Sequence, residues 1–595
     1  MFLRNAKHPF PKRASNHWIA LPIAIACGRS FPTSLPCNLA VRILLLCGPL
    51  ILAMCPWGQP SAAQPAPVKG VVWQAPANTE QAAAELLAMH RLGVEAVRTG
   101  LLQQERLFDL ADTLGLQFFQ ELPLDGLSAA ALIDTLGHVR RLLDGAVARA
   151  RNHTSARHFG LARRSDTSDP RACAFFEDLA DRVHRAPNSQ VYYLSAFVEA
   201  DRCARAVDFV LLDARDASDP VGQLARWQAA HTAPSTRRAG IGALGAWVDA
   251  SASPGLRPPH SPEAQARSLE SSLRRLLADT TASSARAVFV YRWRDARSAT
   301  PSPSRDLARP YQQNYGLYTA DGAPRPARDV VQGFYSGTQT VFAFPTGEAP
   351  APEIPWSLLF GWLVIILIAA SYARSPRFRY MVPRYFLAHG FYREAIREGR
   401  EVLLGVSVVL LVALALSAGV FGSVFLEMVR HEAAFALLFR MLPEPAQLVG
   451  VALLAQPWLL VMLLGSFYAL GLALWTTLLS FASRRRQPLI PGQALMLVLW
   501  ARWPFPLLMV GAMVASTLSE ALPVMLALAG GWVLATLSAI VRILRDYRVT
   551  TYSPALLIVA MSFANPLPLL LLLTFFLTFD TGPTFTFFWH LATRS

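Results

Sequence analysis

Hydrophobic and polar positions follow two different rules along this chain. Between residues 68 and 340, short β-like runs alternate with amphipathic helical segments. The runs are KGVVWQA (69–75), EAVRTG (95–100), LQFFQELP (116–123), HFGLA (158–162), QVYYLSA (190–196), VDFVLLDA (207–214), GIGALGAWV (240–248) and AVFVYRWRD (287–295). Between them lie segments such as TEQAAAELLAMHRLG and SPEAQARSLESSLRRLLA, with apolar residues at i, i+3 and i+4. Ser261–Pro262–Glu263 predicts a helix start, with Ser as N-cap and Pro at the first helical position. Eight strands alternating with helices predict an α/β chain folded as a (β/α)8 TIM-like barrel. In that fold the C-terminal ends of the strands carry function.

After residue 355 the apolar runs become continuous. Six spans are expected near 356–373, 402–426, 449–480, 504–519, 522–541 and 554–577, each long enough to cross about 30 Å of hydrocarbon at about 1.5 Å per residue. The third is long, and begins in the interface or tilts. Pro504 and Pro506 mark the start of the fourth, so LMLVLWARW before them is expected along the membrane surface. FPTGEAPAPEIP (344–355) reads as a Pro-rich, semi-rigid spacer. The organisation expected is therefore a leader at 1–63, a barrel at 64–343, a linker at 344–355, a first transmembrane helix at 356–373 and a five-span, all-α membrane domain at 374–595.

Composition agrees: 53% of the chain is hydrophobic and 16% charged, against about 25% charged in a soluble protein. Its net charge of +15 belongs mostly to the membrane parts. Residues 64–355 hold 32 basic and 31 acidic side chains, whereas 356–595 hold 17 and 9. That distribution has a membrane-topology explanation, and the nucleic-acid reading of a basic protein is rejected.

Arg42, the apolar run ILLLCGPLILAM and the small residues up to Ala63 have the order of a secretory signal. The earlier run WIALPIAIAC is not needed for one, which leaves a later start, for example at Val41, as an alternative. Loop charge gives an orientation. Thirteen arginines fall in the loops after the first, third and fifth spans, and three in the alternate loops and C-terminus. By the positive-inside rule the Arg-rich loops are cytoplasmic. The barrel is then expected on the extracytoplasmic side of a bacterial inner membrane, in agreement with the signal.

Only Cys173 and Cys203 lie in the barrel segment, and an oxidising compartment would allow them to pair. The chain has no CxxC and no His/Cys cluster, so neither a metal site nor a cofactor is expected. The spans carry almost no ionisable residue apart from Arg502, which is expected to snorkel. Anchoring or assembly is therefore favoured over transport.

MHRLGVEAVRTG…RLFDLADTLGLQFFQELP resembles the start of the barrel domain in family-two glycoside hydrolases, the beta-galactosidase and beta-glucuronidase group. RNHTSARHFGLARR resembles that family's fourth-strand segment and GIGALGAWVD its seventh; VYRWRD and NYGLYTADGAPRPARDVV resemble its end. The likeness spans most of 68–335. In the family the general acid is a Glu after Asn at the end of strand four, where this chain has Arg163 and Arg164. The family's nucleophile is a Glu at the end of strand seven, where Ala243 precedes Leu244 and Gly245. Tyr291 stands for the Trp of the eighth strand, and Arg98, used near the nucleophile, is kept. YFLAHGFYREAIREGRE ahead of five spans is similar, in layout, to a Yip-type membrane domain tied to trafficking, over residues 380–580.

A retaining glycosidase needs two carboxyls about 5–5.5 Å apart, and neither arginine nor alanine supplies one. Glu121, Asp213, Asp249 and Asp295 lie at or near strand ends and are the alternatives for a relocated pair; their other reading is solvated or ion-paired rim. Arg98, Trp247, Tyr291 and Trp293 are the candidate ligand-binding residues, with Trp73, Tyr192 and Tyr193 as further aromatic surfaces that could stack on a sugar. Their other reading is barrel core. The expectation is a membrane-anchored, glycosidase-like barrel without the inherited catalytic pair, binding a glycan or an envelope protein, with the lipid bilayer as its other partner. The rival expectations are an active hydrolase with relocated carboxylates, and a membrane domain acting in trafficking or export.

Overall fold

The computed structural model describes residues 66–551 except 232–238, 279–284, 299, 350–353, 400–401, 441, 484–488 and 519–520, together with 587. The leader at 1–63 and the sixth expected span at 554–577 lie outside the described residues.

Eight parallel strands close into a barrel, each paired with its sequence neighbours and the last with the first. They are β1 (Val68–Val72), β2 (Ala96–Gly100), β3 (Gln117–Glu121), β4 (His158–Arg163), β5 (Gln190–Ser195), β6 (Phe209–Arg215), β7 (Ala239–Gly245) and β8 (Ala287–Tyr291). The intervening helices are α1 (Thr79–Arg91), α2 (Glu105–Leu114), α3 (Ala129–Ala150), α4 (Pro170–Val183), α5 (Pro220–Ala230), α6 (Pro262–Leu276) and, after β8, α7 (Pro326–Ser336). Each of the eight expected strands is present.

Local chemistry fixes where the helices begin. Asn78, Ser128, Asp169 and Ser261 each accept a backbone N–H of the following turn. Gly115 ends α2 in the left-handed conformation, φ +68°, which suits a residue without Cβ. Outward strand residues pack with the helices into one large core that includes Val71, Val97, Phe118, Val210 and Val290. Inward residues form a second layer inside the barrel, with Phe119, Tyr192, Leu194, Phe209, Leu211 and Phe289. Large rings fit there because glycines face them: a Cβ on Gly70 would lie 2.3 Å from Phe289 Cδ1, and one on Gly160 would lie 2.8 Å from both Glu121 Cγ and Tyr192 Cζ. Cys173, on α4, is bonded to Cys203.

The described residues after 355 are mostly helical. Among them, four helices are long and apolar enough to cross a membrane: α8 (Trp356–Arg374), α11 (Leu404–Val429), α14 (Pro457–Ser483) and α17 (Ala521–Thr551). Short helices intervene: α9 (Pro376–Leu387), α10 (His389–Glu398), α12 (Ala433–Arg440) and α13 (Glu444–Leu454). A further pair, α15 (Pro491–Trp500) and α16 (Pro504–Ala515), is bent by 42° and would count as one broken span. Helices α11 and α14 approach closely through small residues: a Cβ on Gly419 would lie 2.2 Å from the Val461 carbonyl oxygen.

Three membrane expectations are corrected. The third span does not run unbroken from 449, because α13 stops at Leu454 and Pro457 starts a new helix. LMLVLWARW does not lie along a surface: Met496, Val498 and Leu499 are buried within the bundle. Arg502 does not snorkel. It is 1% exposed at the bend between α15 and α16, donates to the Val498 carbonyl and to Tyr468 Oη (3.1 Å), and lies over the Trp475 ring. These acceptors replace the water that snorkelling would have reached.

Candidate functional site

The C-terminal ends of the strands carry a ring of ion pairs. Arg98, on β2, points inward and is 2% exposed. Its Nε lies 3.5 Å from Glu121 Oε1, and Tyr192 Oη donates to the same carboxylate at 3.3 Å. Arg163 Nε approaches Glu121 Oε2 at 3.9 Å. The structure thus brings together Arg98 and Glu121 from the sequence reading and surrounds the carboxylate with cations.

Beyond this inner cluster lie three more pairs. Arg164 grips Asp125 through Nε (2.8 Å) and Nη2. Burial works against the Asp125 charge, yet Arg164 holds that carboxyl well below the usual carboxylate range. Arg215 donates to both oxygens of Asp213, at 2.8 and 2.6 Å. Residues i and i+2 of a strand share a face, so the DAR sequence at the end of β6 builds this bidentate pair by itself. Asp216 accepts from Arg305 and from Tyr315 Oη (2.6 Å).

Arg164 and Asp216 have φ of +48° and +54°. Non-glycine residues held there store strain and concentrate at functional sites. Both line a cavity of about 180 Å³ together with Asp213, Arg215, Trp247, Ser298 and residues 300–305. This lies below the roughly 300 Å³ at which pockets for drug-sized ligands begin, so it suits one small polar group. Its far wall comes from the membrane half: His431, Glu432, Ala436 and Arg440.

Of the remaining sequence candidates, two border this region. Trp247 is 8% exposed, its ring 4.9 Å from His260 and 5.8 Å from the Arg305 guanidinium, and its Nε1 is buried without a partner. Tyr291 lies under Arg215 at 4.8 Å and donates to Gln313 at 3.2 Å. Burial raises the Tyr291 pKa, but Arg215, Arg292 and Arg164 together bring it below the usual phenol value. The others are placed elsewhere. Trp293 sits in the core against Tyr318, Trp73 donates to Glu85 (2.7 Å) and Tyr193 to Asp201 (2.7 Å). Asp249 caps its own loop, accepting from Ser251 N and Oγ at 2.8 and 2.6 Å. Asp295 is clamped by Arg325 (2.9 and 2.5 Å) and the Gly316 amide (2.8 Å). Glu121, Asp249 and Asp295 are thus committed to three separate sets of partners.

Sequence reading missed Asp125, Arg215, Asp216, Arg305, Tyr315 and Arg440. The DAR spacing was a usable signal for Arg215. Arg440 carried none, because its neighbours come from the other half of the chain. No group of acidic, His or Cys side chains arranged to hold a metal ion occurs among the described residues.

No family model and no curated protein matches the chain. Solved structures similar to it include a GH2 beta-galacturonidase from Eisenbergiella tayi (17% identity, TM-score 0.41, covering 47% of this chain and 52% of that one). Others are a beta-D-glucuronidase of Dictyoglomus thermophilum (14%, 0.39, 47% and 52%) and the Ruminococcus gnavus beta-glucuronidase (15%, 0.41, 47% and 51%). The chain spans about half the length of these structures. The fold itself is given by the chain's own strand order: a closed eight-stranded parallel barrel followed by a bundle of membrane-length helices.

Proposed function

We propose that this chain is a membrane-tethered, glycosidase-like barrel that binds a saccharide or an envelope partner at its C-terminal mouth without cleaving it. The observation that carries the reading is the pairing of the mouth carboxylates: Glu121 with Arg98 and Arg163, Asp125 with Arg164, Asp213 with Arg215, Asp216 with Arg305. Glycoside hydrolysis by a retaining route needs one carboxyl kept protonated as an acid and a second free to attack. A carboxylate gripped by arginine is a poor acid, since the cation stabilises the anion, and to attack it must give up lone pairs that the arginine occupies. The family resemblance adds that Arg163, Arg164 and Ala243 occupy the positions where the acid and nucleophile would stand. Paired arginines and buried aromatic rings still offer donors and apolar faces to a polyhydroxylated ligand.

The side of the membrane belongs to the same proposal. The arginine-rich loops, read as cytoplasmic, leave the barrel outside, and the Cys173–Cys203 bond suits an oxidising compartment. The test is turnover by Glu121→Gln, Asp249→Asn and Asp295→Asn variants of the full chain on β-linked oligosaccharides. The reading expects no product from the parent or any variant. Product from the parent that one of these substitutions abolishes would replace it with a hydrolase using relocated carboxylates.

A further inference from the structure

We propose that the cavity between the barrel mouth and α12 is an oxyanion site, taking the carboxylate or phosphate of a sugar-like ligand on Arg440, the Arg164 and Arg215 guanidinium edges and the Trp247 indole N–H. This inference rests on the binding reading above and names the chemistry of its ligand.

The charge arrangement carries the argument. Four arginines line the cavity, Arg164, Arg215, Arg305 and Arg440. Three of them are engaged by Asp125, Asp213 and Asp216 respectively. Arg440 has no hydrogen bond or ion pair to a described residue, although Gln447 donates to its backbone carbonyl (3.3 Å). Glu432 also lines the cavity and is engaged by a partner of its own. Desolvation, with the nearby Arg164, Arg215 and Arg163 charges, holds the Arg440 guanidinium below its ordinary pKa against the opposing pull of Asp125. An anion there would relieve that repulsion.

A second, independent observation points to an acceptor. Trp247 lines the same cavity, and its Nε1 is buried with no hydrogen-bond partner. A buried N–H without an acceptor is costly. An oxyanion between Trp247 and Arg440 would satisfy both, and guanidinium groups suit carboxylate and phosphate alike. Because the walls come from both halves of the chain, an occupant would join them.

The experiment uses the full chain in nanodiscs of neutral phosphatidylcholine. Inorganic phosphate, tetragalacturonate and its carboxyl-reduced, neutral counterpart are titrated calorimetrically while product release is followed. The expected result is that the two anions compete and bind better than the neutral sugar. Arg440→Gln should weaken them by about 10-fold or more, Arg440→Lys less, and the surface variant Arg226→Gln not at all. Repeating the titration in phosphatidylglycerol nanodiscs separates the sources: a lipid phosphate would suppress soluble anion binding, a saccharide carboxylate would not be displaced.

Failure of both anions to bind overturns the oxyanion site. Equal binding of neutral and acidic sugars, unaffected by Arg440→Gln, also overturns it but leaves the saccharide-binding reading intact. Arg440-dependent phosphate binding with no gain from either sugar supports the site and removes the saccharide from the proposed function. Product release removes the non-cleaving reading alone.

Discussion

Arg98 and Glu121 face each other inside the barrel, Nε to Oε1 at 3.5 Å, with side chains only 2% and 5% exposed. Arginine stays charged at any ordinary pH, so this carboxylate is the counter-charge of a buried cation. Replacing Glu121 by Gln should therefore destabilise the full chain by about 3 kcal/mol, because the guanidinium would be left buried without its partner. Arg98→Met with Glu121→Leu should recover most of that loss. Denaturant midpoints read from barrel tryptophan fluorescence measure both. Equal stability of the single variant and the parent would mean that the pair does not hold the barrel interior together.

Gly242 makes room for that cation. A Cβ at this position would lie 2.4 Å from Leu194 Cδ1, and 2.8 Å from both Arg98 Nη1 and Leu211 Cβ. Gly242→Ala is expected to cost about 1–3 kcal/mol by overpacking and to weaken ligand binding at the mouth. Gly137, on α3, has open space around its absent Cβ and serves as the control, since Ala is a better helix residue than Gly. A loss at 137 as large as that at 242 would contradict the packing explanation.

The Cys173–Cys203 bond closes a separation of 30 residues. Chain-entropy estimates give about 3–4 kcal/mol for a loop of that length. Cys173→Ser with Cys203→Ala should lower barrel stability by that order and remove its sensitivity to reductant. A parent whose unfolding midpoint is the same with and without reductant would sink this expectation.

His158 ties barrel stability to pH. Its ring stacks on Phe119 with centroids 4.1 Å apart, and burial with the nearby Arg286 brings its pKa from 6.5 down to about 4, against the opposing influence of Gln190 and Asp208. Between those two values the unfolded chain binds the proton more readily than the folded one, so stability falls as pH drops from about 6.5 towards 4 and is fully kept above. The loss from this group is on the order of 3 kcal/mol by pH 4. His158→Phe should flatten that part of the parent's stability profile. Parallel profiles for parent and variant between pH 7 and 4 would show that His158 does not titrate as described.

The barrel was legible because its signals are local. Eight β-like runs separated by amphipathic segments set strand order once neighbouring strands pair, and Ser261–Pro262 marked a helix start that the structure keeps. The site was legible only in its inner part, where Arg98 lies in β2 and Glu121 ends the adjacent β3. Its outer part depends on chain excursions: Arg305 comes from the loop beyond β8, and Arg440 from a helix between two membrane spans. No periodicity encodes such a meeting. The aromatic residues misled for a related reason, since a Trp at a strand end fits a ligand surface or a core equally well. Trp293 went to the core, while Trp247 borders the cavity. Among the described residues after 355, length and hydropathy found the long apolar helices but not the break at Pro457 or the acceptors that let Arg502 stay buried.

The most direct measurement of the central claim is a panel of β-linked oligosaccharides offered to the full chain in nanodiscs, with bound ligand and released product quantified in the same samples. The account predicts saturable binding with no product above the protein-free control. Steady release of shortened saccharide would contradict it, and would mean that a carboxylate at the mouth escapes its arginine when substrate is bound.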